Sequence, residues 1–211
     1  MRPLYFTQIA AKYVAVQSFN TVLNCWARSR TKGAARRATA ILQHMEQRFT
    51  SNNTDIHPDS VTYTTVINAW ARSREKDSVP RAEDVLERLE RAYRNGDVEA
   101  KPNALTYNSI INCYAKSNLP DASDRAIKIL EHMKEMSLDT DREDCHPDVI
   151  TYTSVIDALS KTGTVEGSEM AESLLEELEN GFFKTGNRKL KPNIRTYTSV
   201  SSSETEYCAS V

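Results

Sequence analysis

Residues 21–30 read TVLNCWARSR and residues 65–74 read TVINAWARSR, two near-copies of ten residues 44 positions apart, each carrying one of the chain's two tryptophans. The duplication extends outward. An aromatic residue, a polar one and then Thr or Ser followed by Val or Ile recur as FNTV at 19, YTTV at 63, YNSI at 107, YTSV at 152 and YTSV at 197, so the aromatic positions are 44, 44, 45 and 45 apart. Ahead of every copy but the first stands Pro followed by Asp or Asn: HPD ending at Asp59, KPN at Asn103, HPD at Asp148 and KPN at Asn193. These marks divide the chain into an N-terminal segment 1–15, four units 16–59, 60–103, 104–148 and 149–193, and a fifth unit begun at Ile194 that gives way to an irregular tail by 211. Repeats of this period belong to arrays whose neighbours must share a core.

Each unit reads as two helices. Phe19, Val22, Leu23 and Trp26 sit at i, i+3, i+4 and i+7, as do Tyr63, Val66, Ile67, Trp70, then Tyr107, Ile110, Ile111, Tyr114, then Tyr152, Val155, Ile156, Leu159. That spacing makes one apolar helical face. A second set repeats it further on, led in each unit by a small residue: Ala38, Ala82, Ala126 and Ala171. Turns such as SREKDSVPR and KTGTVEGSE separate the two helices. Polar stretches such as YRNGDVEAKPN follow the second and read as tolerated loop growth. The predicted fold is all-α, a solenoid of stacked helix-turn-helix repeats.

Composition excludes rather than assigns. With 27% charged and 39% hydrophobic residues, disorder is not expected, and no apolar run approaches the roughly 20 residues that span a bilayer. A formal net charge of −2 neither demands nor excludes a polyanionic partner. Only clustering on one face argues for one, and the first helices carry such a cluster. Asn20, Asn24, Arg28; Thr64, Asn68, Arg72; Asn108, Asn112, Lys116; and Thr153, Asp157, Lys161 form stripes at spacing four, roughly opposite the apolar faces. A solvated face mixes both signs of charge, whereas the last slot of these stripes is a cation in all four units. Short hydrogen-bonding side chains beside a cation suit a base edge and a phosphate.

The sequence TYxxxIxxxxK/R, then A-x-x-I/L-L-x-x-M/L, then K/HPD/N resembles the pentatricopeptide repeat over about residues 16–200, P-type-like but with long repeats of 44 or 45 residues against a usual 35. The resemblance implies a right-handed superhelix that binds single-stranded RNA at about one base per repeat. It implies that the fifth and last residues of a repeat select the base: Asn20 with Asp59, Thr64 with Asn103, Asn108 with Asp148, and Thr153 with Asn193, in the order U-A-U-A. It further implies base packing by the second residue (Val61, Leu105, Ile150, with Gln17 a poorer fit) and contact of Arg28, Arg72, Lys116 and Lys161 with the RNA backbone. Units one and three also share Cys25 and Cys113, His44 and His132, so duplication of a two-repeat block accounts equally well for the alternation.

The same resemblance implies a role in organellar RNA processing, stability or translation, in a mitochondrion or chloroplast, with other RNA-processing proteins as further partners and no membrane. The alternative is a protein-binding scaffold of the same fold. No catalysis, cofactor or metal is expected: the sequence holds no glycine-rich phosphate loop or nucleophile elbow, and Cys145 beside His146 lacks a second Cys/His pair. Cys25 and Cys113 occupy the slot of Ala69 and Ala158 and read as small packing residues. The first 45 residues contain seven Lys or Arg and no acid, which suits a transit peptide, but only MRPLYFTQIAAKYVA lies outside the repeats. A targeting segment and the remnant of an earlier helix both fit it. Beyond Val200 the chain reads SSSETEYCASV, with Ser201 and Glu204 in slots that held Ile156 and Leu159. The fifth first-helix is expected to fail there, as in an incomplete copy of a longer array.

Overall fold

The computed structural model describes residues 3–29, 31–50, 56–73, 75–138 and 144–208, with the side chains of 3–15 and 202–208 left aside. Those residues are helical wherever they are regular, and no strand occurs among them. The helices are α1 (Pro3–Arg28), α2 (Ala34–Thr50), α3 (Ser60–Ser73), α4 (Ser78–Arg94), α5 (Ala104–Lys116), α6 (Ala122–Met136), α7 (Val149–Ser160), α8 (Val165–Thr185) and α9 (Ile194–Cys208). They fall into two compact units, Met1–Pro102 and Asn103–Val211.

Within the first unit α1 packs on α2 and α3, and α3 on α2 and α4. Its core is the predicted apolar face of α3 set between two alanine-led faces: Val66, Ile67 and Trp70 against Ala38, Leu42 and Met45 of α2 and Ala82, Val85 and Leu89 of α4, all buried. Because Ala38 and Ala82 present only a methyl group, the helices approach closely enough to enclose the indole of Trp70, whose N–H donates to Thr39 Oγ1 at 2.9 Å. The second unit repeats the scheme, α5 on α6 and α7, and α7 on α6, α8 and α9. Ala126, Ala171, Ile110, Ile111, Val155 and Ile156 are fully buried there.

A polar clasp joins consecutive hairpins, with its charges exchanged between units. In the first, Glu46 of α2 takes the Arg88 guanidinium of α4 and the Tyr63 hydroxyl at 3.0 Å. In the second, Glu177 of α8 takes Lys134 of α6 at 2.6 Å and the Tyr152 hydroxyl at 2.7 Å. Burial first, then the adjoining carboxylate, pushes both tyrosine hydroxyls well above their ordinary range, so both stay protonated donors.

Four sequence expectations need correction. Val22 is 47% exposed and Cys25 is exposed, although Val66 and Ala69, in the same slots of α3, are buried. Within this unit α3 packs on α1, α2 and α4, whereas α1 packs on α2 and α3, which leaves this side of α1 uncovered. The long inter-unit stretches are not mere loop growth: single 3-10 turns at Val98–Ala100 and Arg188–Leu190 are capped by the side chains of Asp97 and Asn187. They lead to a residue four before the start of each first helix, of which Ile56, Ala100 and Cys145 are buried. Gly186, with φ of 65°, ends α8 in the left-handed region where glycine is favoured and opens the second of these connections. The fifth unit does not break at Val200 either. α9 continues to Cys208, packed on α7 and α8 through buried Thr196, Ser199 and Val200, and Ser201 points outward. At the other end, the backbone from Pro3 is helical and continuous with α1.

Candidate nucleic-acid interface

The last residue of a repeat is the N-cap of the next first helix. Asp59 Oδ1 accepts the Thr62 N–H at 2.8 Å, and Asp148 Oδ1 accepts those of Ile150 and Thr151, both at 3.0 Å. Asn103 and Asn193 do the same through Thr106 and Thr196 at 3.1 and 3.2 Å. In each case the threonine at the third helical position returns the favour, its hydroxyl accepting the N-cap backbone N–H at 3.0–3.5 Å. This reciprocal arrangement meets two of the donors that a helix start leaves unpaired. It explains why Asp, Asn and Thr stand where they do before any ligand is considered.

Fifth and last residues meet directly. The Asn20 amide donates to Asp59 Oδ1 at 3.3 Å and Asn108 to Asp148 Oδ1 at 3.2 Å, across 39 and 40 residues of sequence. Thr153 makes no hydrogen bond to Asn193; its hydroxyl pairs with that of Thr196 at 2.8 Å, and Thr196 caps with Asn193. Thr64 is buried in the first unit and Asn103 begins the second. The fifth residues are more enclosed than the stripe pattern implies. Asn108 is 7% exposed and Thr64 and Thr153 4% each, whereas Asp59 and Asp148 are half-buried and Asn193 is exposed. Exposure then rises along each stripe, through half-buried Asn68, Asn112 and Asp157 to the exposed cations Arg28, Arg72, Lys116 and Lys161.

The second-position residues behave alike. Val61, Leu105 and Ile150 are 58%, 63% and 59% exposed, large apolar groups left in solvent at the same register of α3, α5 and α7. Gln17 is exposed as well. In the first unit a cleft of about 690 Å³ gathers Gln17, Asn20, Asn24, Asp59, Val61 and Thr65 from α1 and α3, together with His57 and Glu99. It is therefore lined by an exposed apolar side chain, the hydrogen-bonded Asn20–Asp59 pair and part of the polar stripe at once. A second cleft, of about 550 Å³, is lined by residues of α7, α8 and the connection after α8, and by none of the predicted site residues.

Two residues of the stripes are already engaged. The Lys161 ammonium donates to the Ala115 carbonyl at the end of α5, where a cation is favoured by the helix dipole. Asp157, the one acid in the stripes, is held by Arg195 of α9 at 2.6 Å and by the Ser199 hydroxyl. His57 donates through Nε2 to Asp97 Oδ2 at 2.7 Å and stacks on Phe49 with ring centroids 4.1 Å apart. Among the described residues no group of three or more His, Cys, Asp or Glu is placed to hold a metal ion.

The residues that sequence reasoning missed are the threonines Thr62, Thr106, Thr151 and Thr196. Their signal is present: Asp or Asn followed three positions later by Thr occurs at the head of α3, α5, α7 and α9. It is the pattern of a reciprocal helix cap.

Hairpins that repeat every 44 or 45 residues, share their cores with their neighbours and carry a paired cap at each junction define an α-helical repeat protein. Three family profiles match it: a pentatricopeptide repeat domain over residues 50–117, the PPR repeat family over 102–161, and the PPR repeat over 150–181. The chain belongs to the pentatricopeptide repeat family, whose members are generally RNA-binding, non-catalytic helical-repeat proteins. No curated protein matches it. Among the described residues no helix is long and apolar enough to cross a membrane.

Proposed function

We propose that the protein binds single-stranded RNA sequence-selectively, one base per repeat in the order U-A-U-A, and acts without chemistry of its own on a mitochondrial or plastid transcript. The observation that carries the reading is the direct hydrogen bond between the fifth and last residues in Asn20–Asp59 and Asn108–Asp148. In both, one carboxylate oxygen is consumed by the cap, while Oδ2 makes no hydrogen bond within its unit and the amide keeps one N–H. An acceptor beside a donor matches a Watson–Crick edge that offers an imino N–H next to a carbonyl, as uracil does and cytosine and adenine do not. In the fourth pair the Asn193 carbonyl is consumed by the cap and its NH2 is left outward, which matches a ring-nitrogen acceptor such as adenine N1. The second pair, Thr64 with Asn103, has the same residue types.

Val61, Leu105 and Ile150 supply apolar surface against which bases stack, a contact worth about 1–3 kcal/mol per base for aromatic platforms and less for aliphatic ones. Arg28, Arg72, Lys116 and Lys161 supply the salt-dependent part of the affinity. The test is binding of UAUA-containing and scrambled RNA by fluorescence anisotropy at two ionic strengths. Preference for UAUA, weakening as salt rises, is expected. No binding at low salt refutes the reading and leaves the protein-binding scaffold.

A further inference from the structure

The hydroxyl groups of Thr62 and Thr151 each serve two partners. Thr62 Oγ1 accepts the Asp59 N–H at 3.2 Å and lies 2.7 Å from Asn20 Oδ1; Thr151 Oγ1 accepts the Asp148 N–H at 3.0 Å and lies 2.7 Å from Asn108 Oδ1. Each hydroxyl has one proton to give. Asp59 Oδ1 and Asp148 Oδ1 also lie within reach, at 2.7 and 3.1 Å, but both are already occupied by backbone and amide N–H donors. Among the described residues the asparagine carbonyls have no other donor, so the proton goes to them.

At the opposite end of each amide stands a carboxylate, which only accepts, so the nitrogen must face it. The amide is thus held at both ends. A flip would set its carbonyl against the carboxylate and its N–H2 against a hydroxyl already committed to the cap. Flipping would also replace the N–H offered to a base by a carbonyl, and with it the pattern that distinguishes uracil from cytosine. The same geometry recurs in both units with distances equal to within about 0.2 Å.

We propose that Thr62 and Thr151 are positioning residues for base specificity: each hydroxyl, by bonding the carbonyl of the fifth-residue asparagine, fixes the donor–acceptor pattern that the RNA base meets. This rests on the base-selecting role proposed for Asn20–Asp59 and Asn108–Asp148. The lock belongs to those pairs alone. In the fourth repeat Thr196 caps Asn193 in the same way but faces the hydroxyl of Thr153, which has no amide to orient.

Thr151→Val, Thr151→Ser, Thr62→Val and Thr196→Val test it in the full chain. The readout is the ratio of affinities for UAUA RNA and for versions with C at the first or third base. Thr151→Val should lower the U-to-C ratio at the third base about fivefold, the weight of one neutral hydrogen bond, and Thr62→Val should do so at the first. Thr151→Ser should restore the ratio. Thr196→Val, which loses the same cap hydroxyl and a similar amount of thermal stability, should leave both ratios unchanged. Wild-type selectivity that persists within about twofold in either Val variant at its own base overturns the lock while leaving the base-selecting role intact. Absence of U-over-C preference in the wild-type chain overturns that role, and the lock with it.

Discussion

Replacing Asp148 by Asn changes one outward atom and little else. Oδ1 of residue 148 accepts from Ile150 N, Thr151 N and Asn108 Nδ2, and an asparagine carbonyl can keep the cap bond to Thr151 N, as those of Asn103 and Asn193 do to Thr106 and Thr196. Asp and Asn are nearly equal as N-caps, as Asn103 and Asn193 show in the sister repeats. Stability should therefore move by less than about 0.5 kcal/mol, the difference expected between good caps. The outward atom changes from a carboxylate acceptor to an amide donor. A hydrogen bond to a charged group contributes about 1.5–3 kcal/mol, so U at the third base should lose roughly 10- to 100-fold relative to bases with a ring-nitrogen acceptor, since 1.4 kcal/mol is a factor of about ten. The assay is anisotropy with four RNAs that differ only at that base, alongside thermal unfolding of both proteins. Wild-type preference order retained by a folded Asp148→Asn protein would refute the assignment of Oδ2 to the base.

Further outcomes follow from the same structure. Asn at 153 together with Asp at 193 (Thr153→Asn, Asn193→Asp) rebuilds the acidic pair in the fourth repeat and should shift the preferred fourth base from A toward U; crosslinking to randomised RNA reads it directly. Trp70→Ala should cost about 3–5 kcal/mol in chemical denaturation, as for other enclosed aromatics. Trp26→Ala should cost much less, because that ring is only half-buried and its partner is the Arg37 guanidinium at 4.9 Å, an exposed cation–π contact of about 0.5–1 kcal/mol. Arg28→Ala and Arg72→Ala should each reduce the slope of log affinity against log salt by about 0.7, the value for one phosphate contact on a single strand.

The two tryptophans show how much of this was legible beforehand. The decapeptide repeat placed both on the same helical face, correctly, because helix periodicity is local and needs only residues within two turns. Their burial is not local. Trp70 sits on α3, which packs on α1, α2 and α4, while α1 packs on α2 and α3, so identical motif positions end enclosed in one copy and partly open in the other. The same reasoning covers Val22 and Cys25. Ile56, Ala100 and Cys145 escaped notice for a different reason: the slot that plugs the end of each connection accepts residues of very different size, so no hydrophobic period marks it. The site pairs were named through family resemblance and register. What the sequence concealed was their mutual contact, since partners 39 and 40 residues apart meet only when a helix start is laid against the preceding first helix.

Under the proposed function, that contact ties selectivity to folding. The last residue of each repeat must cap a helix, and good caps are confined to Asp, Asn, Ser, Thr and Gly. Of these, Asp and Asn alone hold one oxygen on the helix and still present a second polar atom outward. The outward atom is then an acceptor for Asp and a donor for Asn, and the backbone N–H groups that hold the first oxygen also fix where the second one points. Asp59 and Asp148 against Asn103 and Asn193 is therefore a binary choice made within a single steric frame. Repeats can exchange one for the other with little effect on stability. Under the proposed function a helix junction is thus a place where selectivity varies while the fold does not, and the more accessible cap carries that variation better than the enclosed fifth residue.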